Sequence, residues 1–342
     1  MSRVLFLLKR REDYNVDKHS QIGLSTGLYN SAKFIDDFMP NSKLAVVVDN
    51  NDIDREVTLY KPTHVIIEAL WVVPSKFDVL QRLHPNVKWI VRLHSEMPFM
   101  AQEGIALNWI AEYARYRNVL VACNAPRMLE EVQTYVEALD LSSDKVIYLP
   151  NFYPQTYKKY ERPEDSEFVN VSCFGAVRPL KNHISQAIAA LKFANLIGKK
   201  LKFHVNAGRI EMNGGPIVHN LKSLFEQLSD QGHQLINHEW TPREQFLELC
   251  GQMDMGLQVS FSETFNIVGA DLISQGVPVV GSKEIPWLGT NWQADPTETD
   301  DIAYTMLFTH KLARWNVFFN QRHLTKYTEK SRKIWLDYFG RT

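Results

Sequence analysis

The stretch Ser262-Glu263-Thr264-Phe265-Asn266-Ile267-Val268-Gly269-Ala270-Asp271-Leu272-Ile273-Ser274-Gln275-Gly276-Val277-Pro278-Val279-Val280 places two carboxylates eight positions apart, then a glycine, then a short apolar run. Residues 265–275 read as one short helix. Gly276 stands where a left-handed residue closes a helix, and Val277 to Val280 read as a buried strand. A helix that starts just after Glu263 points the N–H groups of about Thr264 to Ile267 at one spot, and such an N-terminus attracts phosphate. Glu263 precedes the helix and can accept hydrogen bonds from hydroxyl groups. Asp271 lies about two turns in, on side chains that lean back towards the N-terminus. The plain alternative is an amphipathic helix with surface carboxylates.

The chain around this stretch has 342 residues, too many for one typical core, so two domains are expected. Hydrophobic residues make up 45% and charged residues 23%, as in ordinary globular proteins. The formal net charge of −1 gives no global basic field, so a nucleic-acid surface would have to be a local patch. Cys123, Cys173 and Cys250 lie far apart in apolar surroundings without metal-ligand spacing, and read as reduced core thiols. Met1 to Lys9 has a short apolar run and no small-residue cleavage site, which fits a first strand better than a leader. No apolar run approaches ~18 residues, so no membrane span is expected.

Apolar strand-like runs alternate with helical patterns. In the first half the strands fall at Val4–Leu8, Leu44–Val48, His64–Glu68, Lys88–Leu93, Val119–Cys123 and Lys145–Tyr148. In the second they fall at Val169–Phe174, Lys202–Asn206, Gln234–Asn237, Met255–Val259 and Pro278–Gly281. This order predicts an α/β protein of two Rossmann-like, doubly wound parallel-sheet domains facing across a cleft. Their expected bounds are 1–155 and 165–318, with a linker near Asn151 to Asp165 and a helical tail over Leu312 to Phe339.

About 80 residues before the carboxylate stretch lies Val171-Ser172-Cys173-Phe174-Gly175-Ala176-Val177-Arg178-Pro179-Leu180-Lys181-Asn182-His183, a strand, a glycine turn and two cations three apart. Together the two stretches resemble the donor motifs of retaining glycosyltransferases of the GT-B fold, family 4. That resemblance implies transfer of a sugar from a nucleotide diphosphate, with a UDP-sugar as co-substrate and neither cofactor nor metal. Arg178 and Lys181 would clamp the diphosphate, whose charge grows as the glycosidic bond breaks. Glu263, Thr264, Phe265 and Asn266 would hold the sugar and phosphates, and Asp271 the ribose, although the family carries Glu at that second position. Asn237-His238-Glu239-Trp240-Thr241-Pro242 matches the loop that cradles the base, where Trp240 either stacks or simply packs. The resemblance further implies that a C-terminal helix, about 320–342, returns to the first domain.

In the first half, Ser25, Thr26 and Gly27 match by position the family's cleft loop, without its paired glycines. His94, in Arg92-Leu93-His94-Ser95-Glu96 at a strand end, matches a histidine close to the reacting sugar and is a catalytic candidate beside Glu263. Asn124 and Asn151 occupy later strand ends. Asp52-Ile53-Asp54, read as a surface loop, matches a metal motif of the other large glycosyltransferase fold, and carboxylate oxygens suit Mg²⁺ or Mn²⁺. No Gly-x-Gly-x-x-Gly follows the first strand, and neither a phosphate-loop lysine motif nor a Gly-x-Ser-x-Gly elbow is present.

Much of residues 1–125 resembles a group of phage-encoded glycosyltransferases, in Lys9-Arg10-Arg11-Glu12-Asp13-Tyr14-Asn15, Glu68-Ala69-Leu70-Trp71-Val72-Val73-Pro74 and His84-Pro85-Asn86-Val87-Lys88-Trp89. Such enzymes often glycosylate hydroxymethylated pyrimidines in DNA. This resemblance implies a double-stranded DNA partner, a flipped-out base and a host-cytoplasmic location. Lys9, Arg10 and Arg11 would contact phosphate, and Trp71 would stack in the acceptor site; a solvated basic loop is the alternative. A polysaccharide or lipid-linked acceptor and a non-catalytic binding protein remain as other readings.

Overall fold

The computed structural model describes residues 2–10, 27–161, 164 and 166–340. The chain divides into two compact units, Met1–Pro154 with Tyr327–Thr342, and Gln155–Lys326.

The described first unit runs β1 (Val4–Lys9), α1 (Gly27–Asp36), β2 (Ser42–Val47), α2 (Asp52–Tyr60), β3 (His64–Glu68), α3 (Lys76–Leu83), β4 (Lys88–Leu93), α4 (Met97–Met100), α5 (Ala106–Arg115), β5 (Val119–Cys123), α6 (Pro126–Glu137) and β6 (Val146–Tyr148). Its strands form one parallel six-stranded sheet in the order β2-β1-β3-β4-β5-β6. Both faces are covered, which is why β1 reads as an unbroken apolar run. Leu5 and Leu7 join the core on one face. Val4 and Phe6 join the other, beside Trp335 and Phe339. Trp335 is fully buried, packs 5.9 Å from the Phe6 ring and donates its indole N–H to the Pro150 carbonyl at 2.7 Å.

The described second unit runs β7 (Phe168–Ser172), α7 (His183–Leu196), β8 (Lys200–Val205), α8 (Gly215–Gln227), β9 (Gln234–Asn237), α9 (Arg243–Cys250), β10 (Met255–Gln258), α10 (Ile267–Ser274), β11 (Val279–Gly281) and α11 (Thr299–Lys311), then α12 (Ala313–Gly340), which ends in the first unit. Its parallel sheet has the order β11-β10-β7-β8-β9. The edge strand β11 is covered by Asn316 of α12, which accepts from the Val279 N–H and donates to its carbonyl at 3.0 and 2.9 Å.

Two sequence expectations change. Asp52-Ile53-Asp54 is no loop but the first turn of α2. The Asp52 carboxylate accepts the Val48 N–H at 2.9 Å, and Asp54 lies 2.7 Å from His84; both acids thus have structural partners. The helix expected over 265–275 begins only at Ile267, because Asn266 takes a left-handed conformation (φ 61°) and caps it. The three cysteines are free and buried, and burial pushes the Cys173 thiol up to about 12. No helix among the described residues is long and apolar enough to cross a membrane.

Candidate functional site

In an open parallel sheet the binding crevice lies beyond the carboxyl ends of the strands, where the winding direction reverses. In the second unit the chain runs outward from β7 to β9 and then returns to β10 and β11, so the reversal falls between β7 and β10. The two stretches singled out in the sequence follow those two strands.

After β7 the chain turns at Gly175, whose φ of +117° strains any other residue. Its N–H donates to the Asn206 side chain at 2.7 Å. The loop is then tied to the end of β10. The Phe261 N–H donates to the Leu180 carbonyl at 2.9 Å, Asn182 donates to the Val259 carbonyl at 3.2 Å, and Gln186 accepts the Val259 N–H at 2.8 Å. These ties bring Lys181 onto the Glu263 carboxylate as an ion pair of little exposure. Arg178 pairs with Glu211 at 3.3 Å, and Glu211 also pairs with Arg209, whose guanidinium lies 5.2 Å from the Trp240 ring centre.

The α10 terminus is built from side chains. Gln258 donates to the Phe174 carbonyl at 3.1 Å and accepts from Asn266 at 2.9 Å, and Asn266 accepts the Gly269 N–H at 2.7 Å. That cap and the Ala270–Asn266 backbone bond leave the Ile267 and Val268 amides without a hydrogen bond among the described residues. The converging donors are therefore Ile267 and Val268, displaced from the expected Thr264 to Ile267. Phe265 is buried and its carbonyl accepts from Trp287 at 2.7 Å, while Thr264 is buried beside it.

Asp271 sits one turn into α10, not two, and its buried carboxylate is held by the Arg243 fork at 2.7 and 3.2 Å. His183, first residue of α7, is buried. Burial, reinforced by the cations of Lys181 and Arg178, pushes its pKa down to about 3, so its imidazole is neutral.

The first unit has its own polar cluster at the ends of β3 and β4. Glu68 and Arg92 are register partners on these adjacent strands. Arg92 is fully buried, donates to both Glu68 oxygens at 3.1 and 3.3 Å, to the Asn151 side chain at 2.5 Å and to the Leu149 carbonyl at 3.0 Å, and lies over Trp335 at 5.2 Å. Asn124 donates to Asn151 at 3.5 Å. His94 hydrogen-bonds Glu68 through Nε2. Burial opposes the Glu68 charge, but Arg92 and His94 more than reverse this and hold its carboxyl below the usual range. Burial and Arg92 lower the His94 pKa, so the imidazole is neutral at neutral pH and donates to Glu68 through Nε2. Ala69, next to Glu68, has a φ of 72°, unusual for a non-glycine residue.

Of the other expected positions, Lys9 and Arg10 are exposed at the end of β1 and Gly27 opens α1. Trp71 is half-buried against the core, and its indole N–H donates to the Glu68 carbonyl at 3.0 Å. Arg11, Ser25 and Thr26 lie outside the described residues. Glu68, Arg209, Glu211, Arg243 and Gln258 were not singled out as site residues in the sequence. Apart from the Arg209–Glu211 pair, two positions apart, their partners are distant in the chain and are revealed by the strand order.

No family model and no curated protein sequence matches the chain. Solved structures do. The chain is similar to the apo structure of OtsA with a TM-score of 0.71, 10% identity and coverage of 98% of this chain and 99% of that one. It is similar to an E. coli trehalose-6-phosphate structure bound with UDP-2-fluoro glucose, with a TM-score of 0.68, 9% identity and 99% of each chain covered. Anabaena Alr3699/HepE in complex with UDP and glucose gives a TM-score of 0.65 at 12% identity, covering 98% of this chain and 97% of that one. The two parallel-sheet α/β units of this chain have the fold of these structures, the GT-B fold.

Proposed function

We propose that the chain is a retaining glycosyltransferase that takes a sugar from a UDP-sugar. The observation that carries this reading is the Lys181–Glu263 pair, with Arg178 beside it, at the β7/β10 reversal. A donor diphosphate would draw Lys181 and Arg178 from their carboxylates and meet the Ile267 and Val268 amides. Glu263, released from Lys181, would accept from sugar hydroxyls. As the bond from the anomeric carbon to the phosphate oxygen breaks, both electrons leave with the diphosphate, and fixed cations favour that charged state most. The acceptor oxygen bonds to the anomeric carbon and its proton passes to the departing phosphate. Asp271, held by Arg243, is proposed for the ribose hydroxyls. Trp240, with Arg209 against it, is proposed for the base, and His94 is proposed as the catalytic residue of the first unit.

For the acceptor, the phage-like pattern of the first half and the exposed Lys9 and Arg10 support a 5-hydroxymethylpyrimidine in DNA. A lipid-linked or polysaccharide acceptor is the second reading, supported by an exposed aromatic and basic ridge on α12. The test is mass spectrometry after incubation with a panel of nucleotide sugars and, separately, hydroxymethylated duplex, unmodified duplex and saccharide or lipid-linked acceptors. Transfer with retained configuration, read from NMR coupling constants, is expected from a UDP-sugar and persists in EDTA. An inverted linkage overturns retention, transfer confined to saccharide or lipid overturns the DNA acceptor, and no donor consumed overturns the enzyme.

A further inference from the structure

The outward face of the first half of α12 carries three large apolar rings in the open. Trp315, Phe318 and Phe319 are 52%, 44% and 42% exposed. They pack on one another, Trp315 stacked on Phe319 at 5.9 Å and Phe318 edge-on to Phe319 at 5.3 Å. The opposite face of the same helix is occupied, with Ala313, Asn316, Val317, Asn320 and Leu324 buried. Three contiguous exposed aromatics are unusual for a surface helix, and such patches mark interaction sites.

The charge on the segment that carries the rings has one sign. Between Ile302 and Thr328 the sequence contains no Asp or Glu and carries Lys311, Arg314, Arg322 and Lys326. All four are exposed. The acids that start α11 have partners elsewhere: Asp300 pairs with Lys192 at 2.6 Å, and Asp301 accepts the Asp295 N–H at 2.7 Å. An apolar aromatic ridge flanked by cations complements an anionic lipid surface, where the rings enter the headgroup boundary and the cations meet the lipid charge. A second copy of the chain fits less well, because a two-fold contact sets the four cations against the same four. Single-stranded nucleic acid also fits less well. Base stacking needs open ring faces, and here Trp315 and Phe319 cover each other while Arg322 lies over Phe318 at 4.9 Å.

We propose that this ridge docks the protein peripherally on anionic membrane surfaces. The docking requires neither donor nor acceptor to be bound, and holds whichever acceptor is used. The test is flotation of the full chain with vesicles of phosphatidylcholine and phosphatidylserine at 3:1, against vesicles of phosphatidylcholine alone. The expected result is partition onto the serine-containing vesicles that falls with added salt and is at least about tenfold weaker on neutral ones, since each cation near the surface contributes several-fold. Two variants follow, Trp315→Ser with Phe319→Ser, and Arg314→Glu with Arg322→Glu. Each should lower partition about tenfold or more with unchanged thermal unfolding, because all four side chains are exposed. Absence of flotation overturns the proposal, as does unchanged partition in both variants. Sedimentation velocity showing a wild-type dimer that the aromatic variant abolishes assigns the ridge to a second copy instead. Binding of a single-stranded oligonucleotide that both variants lose, without flotation, assigns it to nucleic acid.

Discussion

Each unit sets an arginine and a glutamate at the carboxyl ends of its parallel strands, but the two pairs differ in what surrounds them. In the first unit the Glu68 and Arg92 side chains are completely buried, and Arg92 is further held by Asn151, the Leu149 carbonyl and Trp335. Nothing from solution can replace Glu68 there without dismantling the sheet ends. In the second unit Arg178 keeps 23% exposure and Glu211 18%, in loops rather than strands. Such a pair can exchange its carboxylate for an incoming phosphate. The first network is architecture that orients His94. The second is proposed to hold charges on exchangeable partners.

The most forceful way to break this comparison is Glu68→Ala. Removing one partner of a fully buried pair leaves Arg92 uncompensated and should cost roughly 3–5 kcal/mol of stability. Chemical denaturation measures it, and a loss under about 1 kcal/mol would place Glu68 with the exchangeable carboxylates. Arg178→Gln should do the reverse. Its partly exposed pair contributes about 1 kcal/mol or less to stability, whereas loss of transition-state stabilisation should lower turnover about 10²–10³-fold. Equal effects on melting and turnover would erase the distinction.

A smaller effect comes from His183. Its folded pKa of about 3 lies below the ordinary value of 6.5. Between those values the unfolded chain binds a proton that the folded one refuses, so stability falls as pH falls, by roughly 1.4 kcal/mol per pH unit. His183→Leu should remove one proton from the slope of stability against pH in that window. An unchanged slope would show that burial does not hold His183 neutral in the folded chain. Smallest is the α10 cap. Asn266→Ala loses the bond to Gly269 and strains a left-handed residue, at about 1–2 kcal/mol, while Asn266→Gly should cost only about a few tenths. Equal melting temperatures for the two would remove the cap from the account.

The fold was legible where burial is two-sided. Val65 to Ile67 and Val119 to Cys123 read as strands because both sheet faces exclude water. Three helices were not legible, the four-residue α4 among them. α2 begins with Asp52 and Asp54, whose acids suit a first turn but read equally as a polar loop. α11 buries Ile302, Ala303, Met306 and Thr309 while exposing Tyr304 and Phe308, which blurs its apolar stripe. Of the proposed site, Arg178, Lys181 and Glu263 stand out by their spacing in the sequence, and the structure brings Lys181 and Glu263 together. Glu211 and Arg243 answer to residues 33 and 28 positions away, and no local pattern names them. Glu68 carries no local pattern of its own, since its meeting with Arg92 depends on β3 lying beside β4.

The central claim is that the β7/β10 reversal of the second unit holds a nucleotide diphosphate through Lys181. Calorimetric titration of UDP into the wild-type chain and into Lys181→Ala tests it directly. The account predicts binding by the wild type and about 10–100-fold weaker binding by the variant, the size expected for loss of one charge-assisted contact. Equal affinity in two equally folded proteins, or no binding of UDP by the wild type, would contradict it.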